Sequence, residues 1–135
     1  MNFEKIEIGQ NFESDMIITD EMVKEFARIT GDNNPLHLDE EFAKKTQFGR
    51  RIAHGMLIAS LISKVLGRDF PGPGTVYVSQ FIQFRKPVYI GETVKIKIEV
   101  KDKKIEKKRL ILNTTVMVKD RIVITGEAEV YLPDQ

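Results

Sequence analysis

From Thr93 to Lys101 the chain reads TVKIKIEVK, with Val94, Ile96, Ile98 and Val100 alternating with Lys95, Lys97, Glu99 and Lys101. A period of two with one apolar face predicts a strand that is dry on one side and wet on the other. TVYVSQFIQF, RLILNTTVMV and RIVITGEAEVYL are patterned alike, and NFESDMII near the start adds a fifth candidate strand. A helical period governs the first half. Thr19 can cap a helix with Asp20 and Glu21 in its first turn, Met22, Phe26 and Ile29 on one face, and Gly31 as its stop. Asp39 can cap a second, short helix, EEFAKKT. RIAHGMLIASLISKVLG is apolar around most of its circumference, which predicts a long helix buried on nearly all sides and stopped at Gly67. FPGPG, at residues 70–74, separates the helical period from the strand period.

Consecutive strands joined by hairpin-length turns make an antiparallel sheet, and a helix that is apolar on most sides needs a surface to wrap it. The expected architecture is therefore α+β and of the hot-dog kind, a curved antiparallel sheet around a long central helix. Its 135 residues predict a single domain over 1–135. Such a sheet leaves an edge open, and pairing two edges across a two-fold axis is the common remedy, so a homodimer or higher homo-oligomer is expected.

Composition narrows the function. With 41% apolar residues the chain can build one core, and 21 Lys plus Arg against 20 Asp plus Glu leave a net charge of +1. No field suited to a polyanion surrounds it, which argues against nucleic acid. Cysteine is absent, which removes disulfides and thiolate chemistry, and the two histidines make a poor metal set unless carboxylates complete it. No metal is expected. MNFEKIEIGQ has no apolar stretch of the secretory kind, and MLIASLI within residues 52–66 falls well short of the roughly 20 residues of a membrane span. A cytoplasmic protein without membrane association is expected.

The segment GDNNPLH, residues 31–37, places one of the two histidines five positions after an aspartate, with a proline between them. Pro35 fixes its own φ and biases Asn34 towards an extended conformation, so Asp32 and His37 can be held on a short rigid arc. On spacing alone the same residues also make an ordinary turn in which His37 merely satisfies a carbonyl. The second histidine sits in His54-Gly55, at the start of the buried helix, where backbone N–H groups lack intrahelical partners and the dipole is positive. Glycine there allows a ligand close to the backbone. Gly55, Ala59 and Ser63 then form a stripe of small residues, which suits a thin ligand or close helix packing.

ITGDNNPLHLDEEFA, RIAHGMLIASLISKVLG and FRKPVYIGETV together resemble the MaoC-type hydratase/dehydratase family, and within it the short single-domain (R)-specific enoyl-CoA hydratases, over roughly residue 8 to the end. The resemblance implies a hot-dog dimer that adds water to a trans-2-enoyl-CoA thioester to give an (R)-3-hydroxyacyl-CoA. Asp32 and His37 match the catalytic pair, Gly55 the residue whose N–H meets the thioester oxygen, and Ser63 a supporting serine; Asn34 and His54 flank these as further supports. That chemistry needs a base for water, an acid for C2 and donors for charge on the thioester oxygen, and these groups supply them without a cofactor. Which of Asp32 and His37 is acid and which base stays open at this level. Arg85 and Lys86, or the basic run KDKKIEKKR at 101–109, are candidate contacts for CoA phosphates, although the run equally suits a solvated turn. Tyr77, Phe81 and Phe84 suit either an acyl tunnel or the core. A hot-dog thioesterase and a non-catalytic acyl-CoA-binding subunit are the competing readings. Many such thioesterases carry a catalytic carboxylate on the central helix, and none occurs from Ala53 to Leu66.

Overall fold

In a computed structural model, which describes residues 2–134, the alternating segments become strands and the apolar segment becomes the helix they enclose. Chain order is β1 (Asn11–Ile17), α1 (Asp20–Thr30), α2 (Pro35–Leu38), α3 (Glu40–Lys44), α4 (Gly55–Lys64), β2 (Val76–Phe84), β3 (Thr93–Lys104), β4 (Arg109–Val118) and β5 (Arg121–Tyr131). The five strands form one sheet in the order β1-β3-β4-β5-β2, and every pairing is antiparallel. On β3 the alternation is carried through: Val94, Ile96, Ile98 and Val100 are buried and the lysines between them are not. With Leu110, Leu112 and Val116 of β4 and Ala128 and Val130 of β5 they form the core surface on which Leu57, Ile58, Leu61 and Ile62 of α4 pack. This is the hot-dog fold. The close approach of β2 to β5 depends on Gly126, where a Cβ would stand 2.2 Å from the Phe81 carbonyl oxygen. Among the described residues no helix is long and apolar enough to cross a membrane.

The central helix begins at Gly55, as the His54-Gly55 start leads one to expect; before it Ala53 N–H is engaged by the Val88 carbonyl at 2.8 Å and Ile52 bridges to Tyr89, which keeps that stretch extended. Three expectations are corrected. Gly67 does not stop the central helix: after Lys64 the coil widens into a π turn through Asp69, closed by Phe70 N–H on the Val65 carbonyl at 2.8 Å. Nor is α4 buried all round, since Met56, Ser60 and Ser63 form an exposed stripe. On α1 the buried positions are Val23 and Ala27, with Met22 and Phe26 packed partly against the core, while Ile29 is 71% exposed.

The sheet edges differ in chemistry. β1 turns outward Asn11, Glu13 and Asp15, whereas β2 leaves Val76, Tyr77, Val78, Phe81 and Phe84 exposed. The aromatic residues of β2 therefore lie outside the core of the chain.

Candidate active site

Gly31 ends α1 with a left-handed φ of 81°, and Asp32 N–H is caught by Thr30 Oγ1 at 3.1 Å. The expected stiff turn is in fact a turn followed by a one-turn helix. Asn34 Oδ1 accepts from Leu36 N–H at 3.0 Å as the cap of α2, and Pro35 takes the first helical position, where its missing N–H costs nothing. His37 is thereby carried on a helix rather than a loop. Its Nδ1 lies 2.7 Å from the Ile52 carbonyl oxygen. A carbonyl only accepts, so Nδ1 bears the proton and Nε2 is left with its lone pair. Arg51 braces the same residue from behind, donating from Nε to the His37 carbonyl at 2.7 Å and from Nη2 to Asp20 Oδ1 at 2.6 Å. Neither Arg51 nor the Ile52 carbonyl carries a sequence signal, because each acts only through partners 14 or more residues away.

His54 occupies the cap position of α4 without capping it. Its Nε2 sits instead 3.0 Å from the Asp32 carbonyl oxygen. Gly55 N–H, at the head of this ten-residue helix, has no hydrogen-bond partner among the described residues. A Cβ at Gly55 would come within 2.8 Å of the Phe84 ring, so glycine is what lets that ring close over the helix start.

These groups border a cavity of about 480 Å3 whose walls include Asp32, His37, His54, Gly55, Met56 and Phe84, with Arg85 and Lys86 on one side. One ligand atom from each of Asp32, His37 and His54 lies within 4.8 Å of the others. That spacing fits one water bridging two groups through hydrogen bonds of about 2.8 Å each. It suits a metal ion less well: the two imidazole rings lie 4.0 Å apart and only 31° from parallel, so their in-plane lone pairs run side by side instead of meeting at one point. Burial pushes the His37 imidazole below its ordinary value of 6.5, against the hydrogen bond to Ile52, which favours the charged form.

The remaining expected residues divide. Arg85 donates to Thr125 Oγ1 at 3.1 Å and to Gln83, and neither Arg85 nor Lys86 has a carboxylate partner among the described residues. Ser63 is not at this site: it lines a second recess of about 680 Å3 with Ala59, Ser60, Tyr77 and Phe81, and Met56 borders both. The basic run is largely used structurally, with Lys101 on Glu127, Lys104 and Arg109 on Glu129, and Lys103 on the carbonyls of Phe3 and Ile6.

Residues 2–122 match the model of the MaoC like domain family. The chain is 49% identical over 131 residues to a 3-hydroxybutyryl-CoA dehydratase of Methylorubrum extorquens, covering 97% of this chain and 83% of that one. It is 44% identical over 131 residues to an (R)-specific enoyl-CoA hydratase of Rhodospirillum rubrum, covering 97% and 91%. Its structure is similar to the unliganded (R)-hydratase of Pseudomonas aeruginosa, with a TM-score of 0.93 at 40% identity over 98% of this chain and 86% of that one.

Proposed function

The chain belongs to the MaoC like domain family, and from that premise we propose that it is an (R)-specific enoyl-CoA hydratase whose Asp32 and His37 activate one water for reversible addition to a trans-2-enoyl-CoA. The observation that carries the reading is the meeting, on one cavity, of the Asp32 carboxylate, the bare Nε2 of His37 and the unpartnered Gly55 N–H at a helix head.

The chemistry follows from those atoms. Water is held by hydrogen bonds from its two hydrogens to the His37 Nε2 and the Asp32 carboxylate; as its oxygen attacks C3 of the enoyl thioester one of the two passes as a proton to the group that holds it, and the other stays on oxygen as the hydroxyl hydrogen. Electron density moves through C2 to the thioester oxygen, where Gly55 N–H and the positive end of α4 meet it. A proton taken from the water is returned to C2 on the same face, so one water supplies both the hydroxyl and the hydrogen, and the addition is syn. Neither group needs to store a net proton over the cycle. Arg85 and Lys86, cationic and without acid partners at the cavity side, serve as contacts for the CoA phosphates. Asn34 supports His37 through α2. Ser63, one recess away, lies where an acyl chain passing Met56 would run.

The same reading includes a homodimer formed across β2 and a cytoplasmic location; the exposed apolar row of β2 supports the first. The absence of any acidic residue on α4 disfavours a hot-dog thioesterase. The test is a crotonyl-CoA assay. Loss of enoyl-thioester absorbance without release of thiol is the expected result, and thiol release would replace hydration with hydrolysis. Asp32→Asn and His37→Ala should each lower the hydration rate by ~100-fold or more with the chain still folded, the ordinary worth of an acid-base group.

A further inference from the structure

We propose that His54 is a positioning residue whose imidazole sets the mutual placement of the Asp32 carboxylate, the His37 ring and the Gly55 amide. The proposal rests on the assignment of the hydration chemistry to those three groups.

His54 is 1% exposed, yet it makes a single hydrogen bond, from Nε2 to the Asp32 carbonyl oxygen at 3.0 Å. Since the carbonyl can only accept, Nε2 holds the proton. Nδ1 is then a bare lone pair, and it is fully buried with no partner among the described residues. The ring packs against Phe26, with centroids 4.9 Å apart and planes 54° from parallel, and against His37 at 4.0 Å and 31°. The titratable groups that face it are His37 on α2 and Asp32 on the preceding turn, with Arg51 behind His37.

One residue therefore touches all three parts of the site by three different means. A hydrogen bond holds the backbone of Asp32, a ring face holds His37, and the next peptide in the chain is the Gly55 amide. Asp32 and His37 come from one segment and Gly55 from another, and no other side chain among the described residues joins them in this way. The orphaned Nδ1 is the local cost, since a phenylalanine would fill the slot without an unsatisfied polar atom but could not donate to Asp32.

Two measurements test this. In His54→Phe the stack is kept and the donor lost, while His54→Gln returns an N–H close to the position of Nε2. The expected result is a fall in kcat of at least about tenfold in His54→Phe, towards the ~100-fold that a misplacement of about 1 Å costs, with KM little changed and most of the loss recovered in His54→Gln. Unaltered kcat in His54→Phe, or a folded His54→Gln as impaired as His54→Phe, overturns the proposal. Independently, 15N NMR of the imidazoles in the resting wild-type protein should find the His54 proton on Nε2 and Nδ1 bare. The Nδ1–H tautomer also overturns it. The tautomer is read without substrate, so a protein that showed it and yet failed to hydrate crotonyl-CoA would refute the hydratase assignment rather than the placement by His54.

Discussion

A histidine that takes a proton from water at neutral pH must be uncharged and must present a bare nitrogen. His37 meets the first condition mainly through burial, which lowers its pKa below 6.5, and the second through the Ile52 carbonyl, which holds the proton on Nδ1. The sign of the pH dependence follows. Between the depressed folded value and 6.5 the unfolded chain binds more protons than the folded one, so stability rises with pH across that window and is lost as pH falls through it. Activity should track the same group. The acid limb of kcat/KM that belongs to His37 should lie below pH 6.5, and a pH-rate profile with the limb at or above that value would contradict the neutral acceptor. Asp32 and His37 were both visible in the linear motif. Arg51, Ile52 and the closing ring of Phe84 were not, because each reaches the site from a distant segment and only the folded chain brings it near.

Secondary structure positions these side chains through its ends. α2 is four residues long, too short to persist on propensity alone, and it depends on the Asn34 cap and on Pro35 at its first position. Asn34→Ala removes the cap and should cost about 1 kcal/mol, the usual price of a lost N-cap. Because α2 carries His37, the rate should fall further than stability alone explains; thermal unfolding beside crotonyl-CoA kinetics would separate the two, and an unchanged rate would show that the cap does not serve the site. The strands were legible because alternation is local, and all five expected segments paired. Of the limits of α4 only the start, at His54-Gly55, was legible, and the π turn that carries the chain past Gly67 was not. Apolar periodicity also runs on through Ile52 and Ala53, where a hydrogen bond from Ala53 to Val88 decides the backbone, and no periodicity records a hydrogen-bond partner 35 residues away.

Across the molecule the two sheet edges are not equivalent. β1 turns Asn11, Glu13 and Asp15 outward with a single exposed large apolar residue, Ile17 at its end, which discourages further pairing, while β2 exposes Phe81 at 61%, Phe84 at 53% and Val78 at 41%. Met56 and Ser60 of α4 continue this surface beside the second recess. A second copy is the occupant the proposed dimer assigns to it. Val78→Arg places a charge on the unpaired residue of the β2 irregularity and should halve the mass in solution, read by light scattering after size exclusion, with the chain still folded. An unchanged mass would move the interface elsewhere. The aromatic residues of β2 were ambiguous in sequence for a plain reason: an interface strand and a core strand have the same composition, and what differs is which chain supplies the other wall.

Local pattern was enough to specify the strands, the enclosed helix and the wrapped α+β arrangement, since period and caps are written within a few consecutive residues, whereas Asp32 and His37 stood out only through the resemblance of their motif to the family, their spacing alone suiting an ordinary turn as well. Convergence was settled by folding alone. The tautomer of His37, the anchoring of Asp32 by His54, the unpartnered Gly55 N–H and the removal of Ser63 to a separate recess all depend on hydrogen bonds and ring contacts between segments far apart in the chain. The physical reason is that an acceptor 2.7 Å away in space decides which nitrogen keeps its proton, and linear order does not contain that distance.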